Sequence, residues 1–216
     1  MSMYTFVAPS RRGVLAGVAS LSLASCSGNL IGPPSPAPQI YVLNTKFAPV
    51  TNVPNVPWQL VIGVPNAPAS LDTQRIALER APNTMDYYAN SEWTDRAPVL
   101  LQSLLVQAFE NSGRIATVGR ETSGIRADYV LETEVRDFEA YYAAPDTPPV
   151  VRVTVMVKLF GALSHDIAAA MEFRNESQAS ANNMTSITAA FNQATGATVQ
   201  AIVAWALSQR LSKSPA

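Results

Sequence analysis

Nine residues in the second half of the chain set the strongest constraint on its fold. Val151, Val153, Val155, Val157 and Leu159 alternate with Arg152, Thr154, Met156 and Lys158. A period of two puts the first set on one face of an extended strand and the second set on the other. Four β-branched valines and a leucine suit a pleated surface. At about 3.3 Å per residue the apolar face runs for roughly 30 Å. A face that long and that apolar must be covered by another layer, while the face bearing Arg152 and Lys158 meets water.

The remaining pattern supplies both the sheet and the cover. Ile40–Leu43, Trp58–Val64 and Arg75–Arg80 are predicted strands. Met85–Tyr88 forms a hairpin with the third of these through Ala81-Pro82-Asn83-Thr84. From Pro98 the period changes to that of a helix: Leu100, Leu101, Leu104, Leu105, Ala108 and Phe109 share a face, with Asp95 as N-cap and Gly113 as the stop. A short strand near Ile115–Val118, a half-wet strand over Tyr129–Val135, and a partner for the long strand over Ala168–Gln178 follow. Thr185–Leu211 reads as a closing helix with Ile187, Phe191, Ala194, Ile202, Trp205 and Leu207 inward, and with Gly196 as a place to kink. The expectation is a single α+β domain over residues 40–212, a largely antiparallel sheet with helices packed on one side.

The N-terminal segment has a different purpose. Ser10-Arg11-Arg12 closes a polar, basic stretch, and a mildly apolar run of about a dozen residues follows, the length of a signal-peptide core rather than of a membrane span. It ends in Leu23-Ala24-Ser25-Cys26, which resembles the lipobox of bacterial lipoproteins. That resemblance implies a signal peptide over residues 1–25, diacylglycerol on the Cys26 sulfur, cleavage after Ser25 and acylation of the new amino group. Arg11 and Arg12 resemble the twin-arginine export motif, and the general secretory route also accepts adjacent arginines. Several acyl chains on one residue anchor stably where a single chain is marginal. Residues 27–39 hold four prolines and no charge; with Cys26 they form an extended tether. Ser27, rather than aspartate, after the cysteine favours the outer membrane by analogy with enteric sorting.

The residue inventory excludes most chemistry. One cysteine and one histidine leave no disulfide and no ordinary metal site. Fifteen basic against 16 acidic side chains, scattered, give no stripe for a phosphate backbone, so nucleic acid is not an expected partner. His165, in Leu163-Ser164-His165-Asp166, sits in a predicted turn, where neighbouring side chains do not form a catalytic relay. Glu132 and Glu134 share a strand face with Arg136 and read as a solvated charged edge rather than a glycosidase pair. The expectation is a non-enzyme with no cofactor beyond the lipid on Cys26. Among the aromatic pairs Tyr87-Tyr88 and Tyr141-Tyr142, alternation sends one ring of each inward and one outward. Tyr88 and Tyr142 are the candidate partner contacts, against ordinary edge packing.

A lipobox, a Pro-rich spacer, a short Tyr41-x-Leu43 strand and the Ile62-x-Val64-Pro65 strand occur in that order. Leu71-Asp72 ahead of a polar hairpin, Trp93, a leucine-rich helix and an Ala-rich final helix complete the series. This order resembles the ABC-type transport auxiliary lipoproteins, the PqiC-like group. Thr73 stands where that family often has a basic residue. The resemblance implies a fold like the N-terminal domain of TolB and self-assembly into a homo-oligomer. It also implies a lipid-anchored place on the periplasmic side of the outer membrane. There the chain would serve an MCE-domain protein with its ABC permease and ATPase in lipid (phospholipid) transport between the membranes. Two other readings stay open: a periplasmic assembly or cell-wall regulator that binds a protein, and a lipid-binding module with a groove along the Val151–Leu159 face.

Cys26→Ser removes the only thiol. Metabolic labelling with a palmitate analogue is expected to mark the wild type and not the variant, and the variant is expected to leave the membrane fraction; equal labelling of both would sink the lipobox.

Overall fold

The computed structural model describes residues 37–80 and 84–212. Arg11, Arg12, Cys26 and the tether as far as residue 36 lie outside the described residues. The elements run β1 (Gln39–Tyr41), β2 (Val56–Ile62), β3 (Arg75–Arg80), β4 (Met85–Trp93), α1 (Ala97–Ser112) and β5 (Ile115–Arg120). A 3-10 turn at Glu121–Ser123 leads to β6 (Tyr129–Tyr142), β7 (Val150–Gly161), β8 (Ile167–Gln178) and α2 (Met184–Ser208). They make one α+β domain in which an open, eight-stranded sheet carries two helices.

The alternating segment becomes β7, the middle of a long antiparallel meander β6–β7–β8. Val151, Val153, Val155, Val157 and Leu159 are all completely buried, because α2 lies across β7 and β8. This corrects the lipid-groove expectation: the Val151–Leu159 face is the centre of the core and is sealed by α2, so it lines no groove. α1 packs beside α2 and onto β2 and β5, which completes the cover.

β6 is longer than its alternation suggests. Val135 pairs with Val155 and Asp137 with Thr154, so Arg136 is an extra residue, a β-bulge. Before it Leu131, Thr133 and Val135 face the core; after it Phe138, Ala140 and Tyr142 do. The bulge shifts the phase by one residue, and that hides the second half of the strand from a simple period-two reading. The free edge of β6 is then shared. Tyr129–Leu131 pair in parallel with Leu60–Ile62 of β2, and Ala140–Tyr142 pair in parallel with Leu78–Arg80 of β3. Between them Asn66 donates its N–H to Thr133 and accepts from Val135 through its carbonyl, at 2.9 and 2.8 Å. Farther along, the Phe138 N–H is met by the Glu139 carboxylate at 2.7 Å, so the buried strand draws its partners from several elements, as burial demands. The long ladders are antiparallel and the short ones parallel, with β5 beside β2 and β1 beside β4.

Three local expectations change. Arg96, not Asp95, is the N-cap of α1, with Pro98 in its first turn. The Asp95 carboxylate instead accepts the Arg96 N–H at 2.7 Å. β4 continues to Trp93 through an irregularity in which Asn90 takes a positive φ of 51°. This brings Trp93 into an edge-to-face aromatic cluster with Phe138 and Phe191, centroids 6.2 and 5.1 Å away. β8 lacks an apolar alternation because two of its core-facing residues bond to α2: Asn175 donates to Thr198 at 3.1 Å and Ser177 to Gln193 at 2.9 Å.

Gly196 does not break α2, which runs unbroken from Met184 to Ser208. It makes room for the strap after β1. A Cβ at Gly196 would stand 2.4 Å from Cγ2 of Thr45, and the strap is fixed there by Asn44 N–H donating to the Asn192 side chain at 2.7 Å. Gly196→Ala would raise helix propensity by about 1 kcal/mol in an open site. Here the strap opposes it, so the substitution is expected to give no stability gain alone and to recover that gain in a Thr45→Gly background. A double-mutant cycle by urea denaturation reads the coupling; additive effects would show that the close approach is unimportant.

Candidate functional site

The C-terminal ends of the parallel strands β3 and β6 converge on the N-terminus of α2. Ligands commonly bind beyond the carboxyl ends of parallel strands. A cleft of about 640 Å³ opens at this point, within the usual range for small-ligand sites. Its floor is a hydrogen-bonded chain: Tyr88 and Tyr142 hydroxyls lie 2.9 Å apart, and Tyr142 donates to Oδ1 of Asn182 at 2.8 Å. Arg80 lies over the Tyr142 ring, 5.6 Å from its centroid. Met184, Ile187 and the loop Ala143–Asp146 complete the wall.

Each wall has a local cause. Arg80 is the last residue of β3, paired with Tyr142, the last of β6. Asn183 caps α2, its side chain accepting the Ser186 N–H at 2.9 Å, while Ile187 N–H reaches the Asn183 carbonyl. Asp146 turns the loop with a positive φ of 59°, a conformation Asp tolerates better than most residues. Burial, then the bond to Tyr142, push the Tyr88 phenol well above its ordinary pKa, so the Tyr88 hydroxyl stays protonated.

The two tyrosines singled out by the sequence therefore meet in one place. Tyr142 is 7% exposed and Tyr88 half-buried, so they form a cleft wall rather than separate surface rings. Their neighbours point elsewhere: Tyr87 donates to the Ser70 carbonyl under the Arg75 guanidinium, and Tyr141 stacks beneath Arg152 at 3.5 Å. Sequence reasoning missed Arg80 and Asn182. One ends a strand and the other precedes a helix cap, and neither position carries a periodic signal.

The other chemical candidates stay apart. His165 takes a positive φ of 59° in the β7–β8 turn, where Ser164 Oγ accepts the Asp166 N–H. Glu134 and Glu172 hold Arg136 in an ion-pair group on the open sheet face. Among the described residues no group of three or more His, Cys, Asp or Glu side chains is placed to hold a metal, and no helix is long and apolar enough to cross a membrane.

A family of ABC-type transport auxiliary lipoprotein components matches residues 41–203, most of the described domain. The chain belongs to that family. A solved structure of a Xanthomonas campestris protein is 31% identical, with a TM-score of 0.74, covering 78% of this chain and 94% of its own. An uncharacterized protein at 13% identity has a TM-score of 0.61, covering 77% of this chain and 97% of its own. A hypothetical Chlamydia trachomatis protein at 8% identity reaches 0.50, covering 71% and 98%. These last two show the fold alone. No curated protein matches the chain. Family membership makes this auxiliary component a membrane-anchored lipoprotein of the cell envelope, with a transporter as its partner.

The family signature also acquires a physical meaning. Leu71 and Trp93 are core residues, 3% and 1% exposed. Asp72 takes both hydrogen bonds of the Arg96 Nη1, at 2.8 and 2.9 Å, just ahead of α1. Thr73, where a basic residue is common, instead accepts the Ala97 N–H through its carbonyl. The signature latches the start of α1 to the loop after β2.

On the open sheet face one carboxyl is buried. Glu139 is 3% exposed. Burial, reinforced by Asp137 and Glu79, pushes its pKa up to about 7, against the Phe138 N–H bond and Arg152, which lower it. Between about 4.5 and 7 the folded chain keeps a proton that the unfolded chain has lost. Stability from this group is full below that window and falls as pH rises through it. Glu139→Gln is expected to remove the slope and to stabilise by about 1–3 kcal/mol near pH 8, with little effect near pH 4.5. Urea midpoints across this range measure it; parallel profiles for the two proteins would refute a buried titrating carboxyl.

Proposed function

We propose that this auxiliary lipoprotein works from the periplasmic side of the outer membrane, anchored through Cys26. It would serve an MCE-type ABC system that moves phospholipid between the inner and outer membranes. The observation that carries the reading is the family match across the whole domain, residues 41–203. The separation of His165 from any relay, and the ion pairing of Glu134 with Arg136, support a role in binding rather than catalysis. In this reading the partners are an MCE-domain protein, its permease and its ATPase, with self-assembly into a homo-oligomer, and Tyr88 and Tyr142 belong to the contact region.

The test is affinity capture of the lipidated protein, tagged at its C-terminus, from detergent-solubilised envelopes, followed by mass spectrometry. Recovery of the MCE-domain protein with permease and ATPase is the expected result. Recovery of cell-wall assembly enzymes instead, from protein confirmed to be lipidated, would replace transport by the regulator reading.

A further inference from the structure

The Tyr88–Tyr142 cleft has an excess of donors over acceptors. The two hydroxyls satisfy one another and Asn182 Oδ1. That leaves the Asn182 amide NH2 with no acceptor among the described residues. Arg80 lies over the Tyr142 ring but has no counter-charge: among the described residues no carboxylate comes within 4.0 Å of its guanidinium, although Arg152 and Arg174 each pair with a glutamate. Asp146 on the rim is the cleft's one acidic group. The rest of the lining is largely apolar: Met184, Pro145, Ala143 and Ala144, backed by the buried Ile187.

A donor-rich wall facing an apolar wall suits one chemical type: an anionic head joined to a hydrocarbon. A free inorganic anion would leave the Met184 and Pro145 side chains in water, and an uncharged alkane would bury Arg80 with no counter-charge, which is costly. We propose that the cleft holds a single-chain anionic amphiphile. Its phosphate or carboxylate head would lie against Arg80 and Asn182, and its first methylenes along Met184 and Pro145. Arg80 matches such a head because the guanidinium donates in a planar fork to two oxygens at once. The open side of the cleft lets a longer chain leave it. The assignment stands on the cleft alone and does not require the transporter partnership.

The test uses the full chain carrying Cys26→Ser, so that no acyl group of its own competes, and titrates it calorimetrically with dodecyl phosphate below its micelle concentration. Saturable 1:1 binding is expected. Arg80→Gln, at an exposed position that the core does not need, is expected to weaken it about tenfold or more, with partial recovery in Arg80→Lys. Met184→Ser, at a half-buried position in the cleft lining, tests the apolar wall, and circular dichroism confirms that each variant is folded. Inorganic phosphate is expected to bind far more weakly than dodecyl phosphate; equal affinity would overturn the amphiphile in favour of a free-anion site. Equal binding of dodecyltrimethylammonium, or an unchanged affinity in Arg80→Gln, would overturn the role of charge. Saturable binding of a peptide with an apolar residue at a free C-terminus, where dodecyl phosphate fails to bind, would reassign the cleft to a protein partner.

Discussion

Everything in this domain is organised by the pairing of β6. One edge runs along the whole of β7. The other is divided among the end of β2, the single residue Asn66 and the end of β3. A buried strand cannot leave its N–H and C=O groups unpaired, because each lost hydrogen bond would carry the full desolvation penalty. The bulge at Arg136 lets one strand serve both β2 and β3, since it changes the twist and resets which side chains face inward. Thr133 and Val135 before it, and Phe138 and Ala140 after it, are all buried as a result.

The position of the cleft follows from that pairing. Because β3 and β6 are parallel, their C-terminal ends coincide, and Arg80 arrives beside Tyr142. α2 must cover the apolar face of β7, and its first turn reaches the same place. The strap after β1 fixes the helix through Gly196, where the missing Cβ admits Thr45, and through Asn192. Polar bonds from β8 to α2 hold the far side of the helix. The cleft is thus a by-product of covering the core, lined by whichever residues end those elements.

The sheet face away from the helices obeys different rules. Charged side chains form shared groups there. Arg152 lies between Glu79 and Glu176, at 3.7 and 3.8 Å, and Arg136 between Glu134 and Glu172. Exposed pairs of this kind contribute little to stability, and their use is to keep the face wet and soluble. Glu139 is the exception, a carboxyl enclosed by its neighbours and held by a backbone N–H.

Much of this architecture was legible in the residues. The period-two run at Val151–Leu159 dictated a strand with one buried face, and the leucine spacing from Leu100 to Phe109 dictated a helix, which packs beside α2 and onto β2 and β5. Hydrophobic period is a local property, and burial rewards it wherever the chain ends up. The second half of β6 was hidden because a bulge changes the phase without any marker residue. The extension of β4 to Trp93 was hidden by the irregularity at Asn90. Asp95 looked like the cap, but the cap is set by where the backbone enters the helix, and that is decided by the Asp72–Arg96 and Thr73–Ala97 contacts. The residue order determined one α+β domain and the candidate anchor at Cys26. Only the tertiary structure could bring Arg80, Tyr88, Tyr142 and Asn182 together. The Tyr88–Tyr142 contact alone spans 54 residues along the chain, and parallel pairing with long crossovers leaves no local trace in sequence.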